Sequence, residues 1–148
     1  LDASSESYPL HTFNLLNEGV MQKIAKAFKL QPSEIISATL EAGVVKAEGF
    51  TGPADGKVAV GLTNPDGKVS YAYSANGIGF WIAADGTASS WGDAPIYYEY
   101  DAVGYGLTVG HNPGHSEKGK TYTIKPTMVY NKGGKLHKAV ITIKMKFA

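Results

Sequence analysis

From Val44 to the C-terminus the chain breaks into short runs whose apolar residues recur at every second position, each run closed by a tight-turn sequence. The runs include "KVAVGLT" (57–63), "KVSYAYS" (68–74), "GIGFWIAA" (77–84), "IYYEY" (96–100) and "YGLTVG" (105–110), followed by "TYTIKPTMVY" and "LHKAVITIKMKF". A period of two sends alternate side chains to opposite faces of a strand, whereas a helix repeats every 3.6 residues. Short strands of this kind satisfy their backbone groups by pairing with one another, which predicts an antiparallel sandwich or barrel. Turn chemistry agrees. Of 18 glycines only Gly19 and Gly43 precede Gly49, and "NPDG" (64–67), Asp85–Gly86 and "NKGGK" (131–135) read as hairpin turns. In the last run Ile141, Ile143, Met145 and Phe147 alternate with Val140, Thr142, Lys144 and Lys146, so one face is expected to be buried. Pro126 cannot donate to a ladder and marks an edge or a bulge.

Upstream the period differs. In "LLNEGVMQKIAKAFKL" the residues Leu16, Val20, Ile24 and Phe28 fall on one helical face, with Asn17 as N-cap and Glu18 in the first turn. "QPSEIISATLEAG" places Pro32 at a first helical position, Ile35, Ile36 and Leu40 on an apolar side and Gly43 as a stop. The expectation is a helical hairpin over residues 13–43, packed on a β-sandwich over 44–148 and preceded by a linker-like stretch, 1–12. The whole is an α+β fold in a single domain. The polar opening "LDASSESYPL" reads as a linker exposed after an export signal or a chain boundary.

Charge excludes some functions. The net charge is +1, and all 14 basic residues are lysine. Without arginine the chain lacks the planar fork that suits phosphate and guanine, and its lysines are scattered, so no nucleic-acid partner is expected. With no cysteine there are no disulfides and no thiolate metal sites. No run is long and apolar enough for a transmembrane helix.

Motifs for chemistry are sparse. His111, His115 and Glu117 in "HNPGHSE" are metal-compatible residue types, but Asn112, Pro113 and Gly114 form turns that should make the two rings diverge. No metal site is expected. Asp93 and Glu99 are the carboxylates a hydrolase would need, and a glycosidase requires two facing each other across a cleft. No G-x-S-x-G elbow and no P-loop is present, and the Gly-X-Gly pairs lack dinucleotide-site context, so no cofactor is expected.

"ASSWGDAPIYYEYD" (88–101) gathers Trp91, Tyr97, Tyr98 and Tyr100 beside Asp93, Glu99 and Asp101. Sugar rings present flat apolar C–H faces that aromatic planes cover, while nearby polar groups satisfy the hydroxyls. Trp91 lies in turn chemistry and is a candidate stacking platform, with Asp93, Tyr98, Glu99 and Tyr100 as its ring and polar partners. Plain packing is the competing account, since Tyr and Trp favour strands. Phe80 and Trp81, being adjacent, must point to opposite faces.

"SWGD" (90–93), Pro113–Gly114 and "GKTYTIKPTMVY" (119–130) resemble a Bacteroidetes domain family of unknown function, found in secreted or surface proteins beside glycan-degrading modules. "KIAKAFKLQPSEI" resembles the helical lead-in of that family, and the resemblance runs from about Tyr8 to Phe147. It transfers no catalytic residue. It implies a secreted or cell-surface location, with a lipid anchor on a preceding segment as one means of attachment, and a non-catalytic role near glycans. The expected function is therefore carbohydrate binding without catalysis. The alternatives are a structural or protein-interaction module, in which Trp91 and the tyrosines are buried, and a hydrolase using Asp93 and Glu99.

Overall fold

The computed structural model describes residues 1–15, 20–29, 39–41, 45–47, 50–71, 78–101 and 106–148. Along them run β1 (Pro9–Asn14), α1 (Val20–Phe28), β2 (Thr39–Glu41), β3 (Val45–Ala47), β4 (Phe50–Gly52), β5 (Lys57–Thr63), β6 (Val69–Tyr71) and β7 (Ile78–Ile82). There follow β8 (Ala88–Ser89), β9 (Ile96–Asp101), β10 (Gly106–His111), β11 (Thr121–Ile124), β12 (Pro126–Lys132), β13 (Lys135–Val140) and β14 (Ile143–Lys146).

The strands form two main sheets. One has the order β1-β10-β9-β7-β8; the other has β13-β12-β5-β2, with β6 also on β5. The hairpin turns fall where turn chemistry puts them. Gly67, at φ 85°, donates to the Asn64 carbonyl at 2.9 Å between β5 and β6; Gly86, at φ 94°, donates to Ala83 at 2.9 Å between β7 and β8. Pro126 sits at the break between β11 and β12, where the ladder partner changes. β12 pairs with β13 and β5, whereas β11 pairs with β14, and Ile141 N–H donates to the Pro126 carbonyl at 2.8 Å to keep the two long arms together. That is the position a residue without an N–H tolerates.

A single core joins the layers. Ile82, Ile96, Tyr98, Leu107 and Val109 of the first sheet meet Val58, Val60, Leu62 and Met128 of the second, and Tyr122, Ile143, Met145 and Phe147 extend the cluster. The Tyr98 hydroxyl donates to the Gly61 carbonyl, so one hydrogen bond spans the sandwich. Alternation in β14 is as the sequence implies: Ile143 and Met145 are buried, Lys144 and Lys146 exposed.

The expected helical hairpin is corrected: the protein is mostly β, and α1 is the one helix among the described residues. Thr39–Glu41, assigned above to a second helix, is a strand paired in parallel with Lys57–Ala59. An apolar stretch as short as "IISATLEA" suits either period, and for Thr39–Glu41 the β5 edge supplies from outside the hydrogen bonds a helix would have made within itself. Asn17, Glu18, Pro32, Ile35, Ile36 and Gly43 lie outside the described residues. The stretch read as a linker also enters the fold, because Pro9–Asn14 pairs with β10.

α1 itself follows its amphipathic pattern. Ile24, Ala25 and Phe28 are buried, Gln22, Lys23, Lys26 and Lys29 are exposed, and Phe28 stacks on Tyr130 at 5.8 Å. Lys26 in the last turn complements the dipole, and Lys29 at φ 58° ends the helix. Among the described residues no helix is long and apolar enough to cross a membrane.

Candidate aromatic face

Ser90–Asp93 is a turn that carries the chain from β8 towards β9. Asp93 N–H donates to the Ser90 carbonyl at 3.1 Å, and the Ser90 hydroxyl to Asp93 Oδ2 at 3.4 Å. The buried Asn112 clamps this segment from β10's end: its Nδ2 donates to the Trp91 carbonyl at 2.9 Å, and its backbone N–H to Pro95 at 3.0 Å. Ala94 and Ile96, just beyond, are fully buried. The backbone of Trp91 is thus fixed while 57% of its surface stays exposed. A tryptophan this exposed, on a backbone held by a buried amide, is unusual, since Trp is highly buried on average. Trp91 does not belong to the core.

β9 sorts the remaining candidates by face. Tyr98 and Tyr100 point inward, with 1% and 6% of their surface exposed. They cannot touch a ligand on the surface, and their assignment as ring partners of Trp91 is corrected. Burial drives the Tyr98 hydroxyl well above the ordinary tyrosine range, because the phenolate would be desolvated. Glu99, between them in sequence, is exposed on the outer face.

That outer face carries rings left out of the candidate site, Trp81, Tyr97 and Tyr8. Register places Pro9, Gly110, Tyr97, Trp81 and Ser89 in one row across the first sheet. Trp81 and Tyr97 lie 5.0 Å apart between centroids, and Tyr8 meets Trp81 edge-on at 6.3 Å. Tyr97 lies over Gly110, where a Cβ would come within 2.1 Å of the Tyr8 carbonyl oxygen and 2.5 Å of the Tyr97 ring. Only glycine leaves room for that ring. The next row holds Thr12, Thr108, Glu99 and Gly79, with the two threonine hydroxyls 2.9 Å apart. An aromatic row therefore runs beside a polar row, and Trp91 follows Ser89 by two residues at the sheet's edge. Burial, and then the charge of Glu99 on the same face, push the Tyr97 hydroxyl up to about 12.

Phe80, paired with Tyr98, packs partly against the core, so the adjacent Phe80 and Trp81 split faces as alternation requires. The signal for the missed cluster was available in the tandem Phe80–Trp81 and Tyr97–Tyr98 pairs. What was missing was their register, together with the placement of Tyr8 beside them.

The other candidates separate. His111 is fully buried; its Nε2 donates to the Ser7 carbonyl at 2.9 Å, its Nδ1 lies 2.7 Å from the Ser116 hydroxyl, and its ring stacks on Phe147. Both nitrogens are engaged, Nε2 holding the N-terminal segment to β10 and Nδ1 the loop that follows β10. His115 is exposed and reaches only the Pro113 carbonyl, while Glu117 pairs with Lys120 at 3.2 Å. Among the described residues no group of three His, Asp or Glu side chains could hold a metal. Asp93 and Glu99 are both exposed, one in the turn and one on the open face. Among the described residues every buried side-chain nitrogen or oxygen has a partner, so none is an orphan aimed at a ligand.

Residues 7–135 match a family described as a domain of unknown function (DUF4859), and the chain belongs to that family. No curated protein and no solved structure matches it.

Proposed function

We propose that this member of a family without an assigned function is a non-catalytic carbohydrate-binding domain, with the outer face of the first sheet as its site. The observation that carries the reading is Trp91, more than half exposed on a turn whose backbone is clamped by Asn112. A platform whose backbone is already held has less freedom to lose on binding. Trp81 and Tyr8 extend the apolar surface, with the largely buried Tyr97 packed against Trp81, and Glu99, Thr108, Thr12 and Asp93 supply groups for hydroxyls. The exported, glycan-adjacent setting implied by the motif resemblance fits that role. Both carboxylates of the hydrolase alternative are exposed, whereas a catalytic acid at neutral pH is commonly made by burial.

Affinity electrophoresis against a panel of soluble polysaccharides tests this. The protein should be retarded by at least one of them. Trp91→Ala should weaken that binding by about 1–2 kcal/mol, by analogy with ring-stacking energies, and leave the melting temperature nearly unchanged. No retardation by any polysaccharide, or retardation unaffected by Trp91→Ala, would leave the interaction-module reading in its place.

A further inference from the structure

Away from the aromatic face, the seam between the layers opens beside α1 into a cleft of about 530 Å³. That volume falls within the roughly 300–1,000 Å³ typical of small-molecule sites. Its walls are apolar and come from both layers: Phe13 and Leu107 from the first sheet, Ile24 from α1, and Ala139, Ile141 and Ile143 from β13 through to β14. Four of these, Ile24, Leu107, Ala139 and Ile143, belong to the buried core, so the cleft reaches down to it. Val140 stands at the lining with 42% of its surface exposed.

Among the described residues the charged part of the lining has one sign. Lys23 of α1, Lys138 of β13 and Lys144 of β14 line the cleft from three separate elements, and no described carboxylate does. Among the described residues none of the three is in an ion pair. Cations grouped at one low-dielectric opening repel each other and raise the local concentration of anions. An apolar trough with an unbalanced cationic rim is complementary to one kind of molecule.

We infer that this cleft binds a free amphiphile with an apolar body and a single anionic head group, of the medium-chain carboxylate type. The chain lies against the Phe13, Ile24 and Ile143 walls, and the carboxylate sits among the three lysines. The site needs nothing from Trp91 or Trp81, so it stands or falls separately from the carbohydrate reading.

The test is calorimetric titration with decanoate, below its micelle concentration and at low ionic strength. Saturable one-to-one binding is expected, with decyltrimethylammonium binding far more weakly. The triple variant Lys23→Gln, Lys138→Gln, Lys144→Gln should lose about tenfold in affinity, the size three exposed charge pairs can reach together. Ala27→Trp, at an exposed position lining the cleft, should block binding while keeping every lysine. Absence of saturable binding, equal affinity for the two head groups, or a triple variant that binds like the parent would overturn the assignment. So would binding to phosphatidylglycerol vesicles with none to free decanoate, which would make the lysines a membrane-facing surface.

Discussion

Trp91 and Tyr98, seven residues apart, show how little residue type decides without a face. Both were candidates for one site, yet the first stands exposed on a turn whose backbone Asn112 holds, and Gly61 receives the hydroxyl of the second inside the core. Alternation correctly put Tyr98 and Tyr100 on one side of β9 and Glu99 on the other. It could not say which side was buried, because both faces of the strand are aromatic. The glycine beneath Tyr97 makes the sharpest test at this scale. Gly110→Ala would press a methyl group onto the Tyr8 carbonyl and the Tyr97 ring, and overpacking of this kind costs about 1–3 kcal/mol or more. Chemical denaturation should show that loss. A Gly110→Ala protein as stable as the parent would mean that the Tyr8–Tyr97 packing is not as described.

The single helix and the strand after it illustrate the limits of period at the level of elements. α1 was legible because nine residues give two full turns of pattern, and Ile24 and Phe28 are buried where the spacing puts them. Thr39–Glu41 was not, because three residues carry no period and the partner, Lys57–Ala59, is distant in sequence. Antiparallel hairpins were read correctly from "NPDG" and "DG" because the turn chemistry is local; a parallel pairing leaves no such mark. If α1 holds to the core through Phe28 and its stacking on Tyr130, Phe28→Ala should destabilise by about 3–5 kcal/mol. Lys26→Ala on the outer side should stay within about 0.5 kcal/mol of the parent. Urea unfolding of the two variants separates them, and equal midpoints would contradict the packing of the helix.

For the whole molecule, the antiparallel pairing of most strands was readable and the outer aromatic face was not, since that face is assembled from β1, β7, β9 and β10 by pairings no local motif encodes. The buried tyrosines couple the fold to alkaline pH. The hydroxyls of Tyr97 and Tyr98 titrate above the ordinary value of about 10 in the folded state, Tyr97 at about 12. A raised folded value means the native state holds its proton longer than the unfolded chain does. The stability this confers is complete below pH 10 and declines as pH rises towards 12. Absorbance at 295 nm should show at least two of the nine tyrosines resisting ionisation until the protein unfolds. Ionisation of all nine near pH 10 with the fold intact would contradict the inward placement of Tyr98.

The central claim is that Trp91 meets the sugar, and indole fluorescence reads it most directly because the chain has only two tryptophans. In a Trp81→Phe variant Trp91 is the sole indole, and acrylamide should quench it strongly in the free protein. Adding a polysaccharide that retards the protein in affinity gels should drop the quenching constant of that indole towards that of a buried one. An indole already shielded in the free protein, or quenching unchanged when the polysaccharide is bound, would contradict the account.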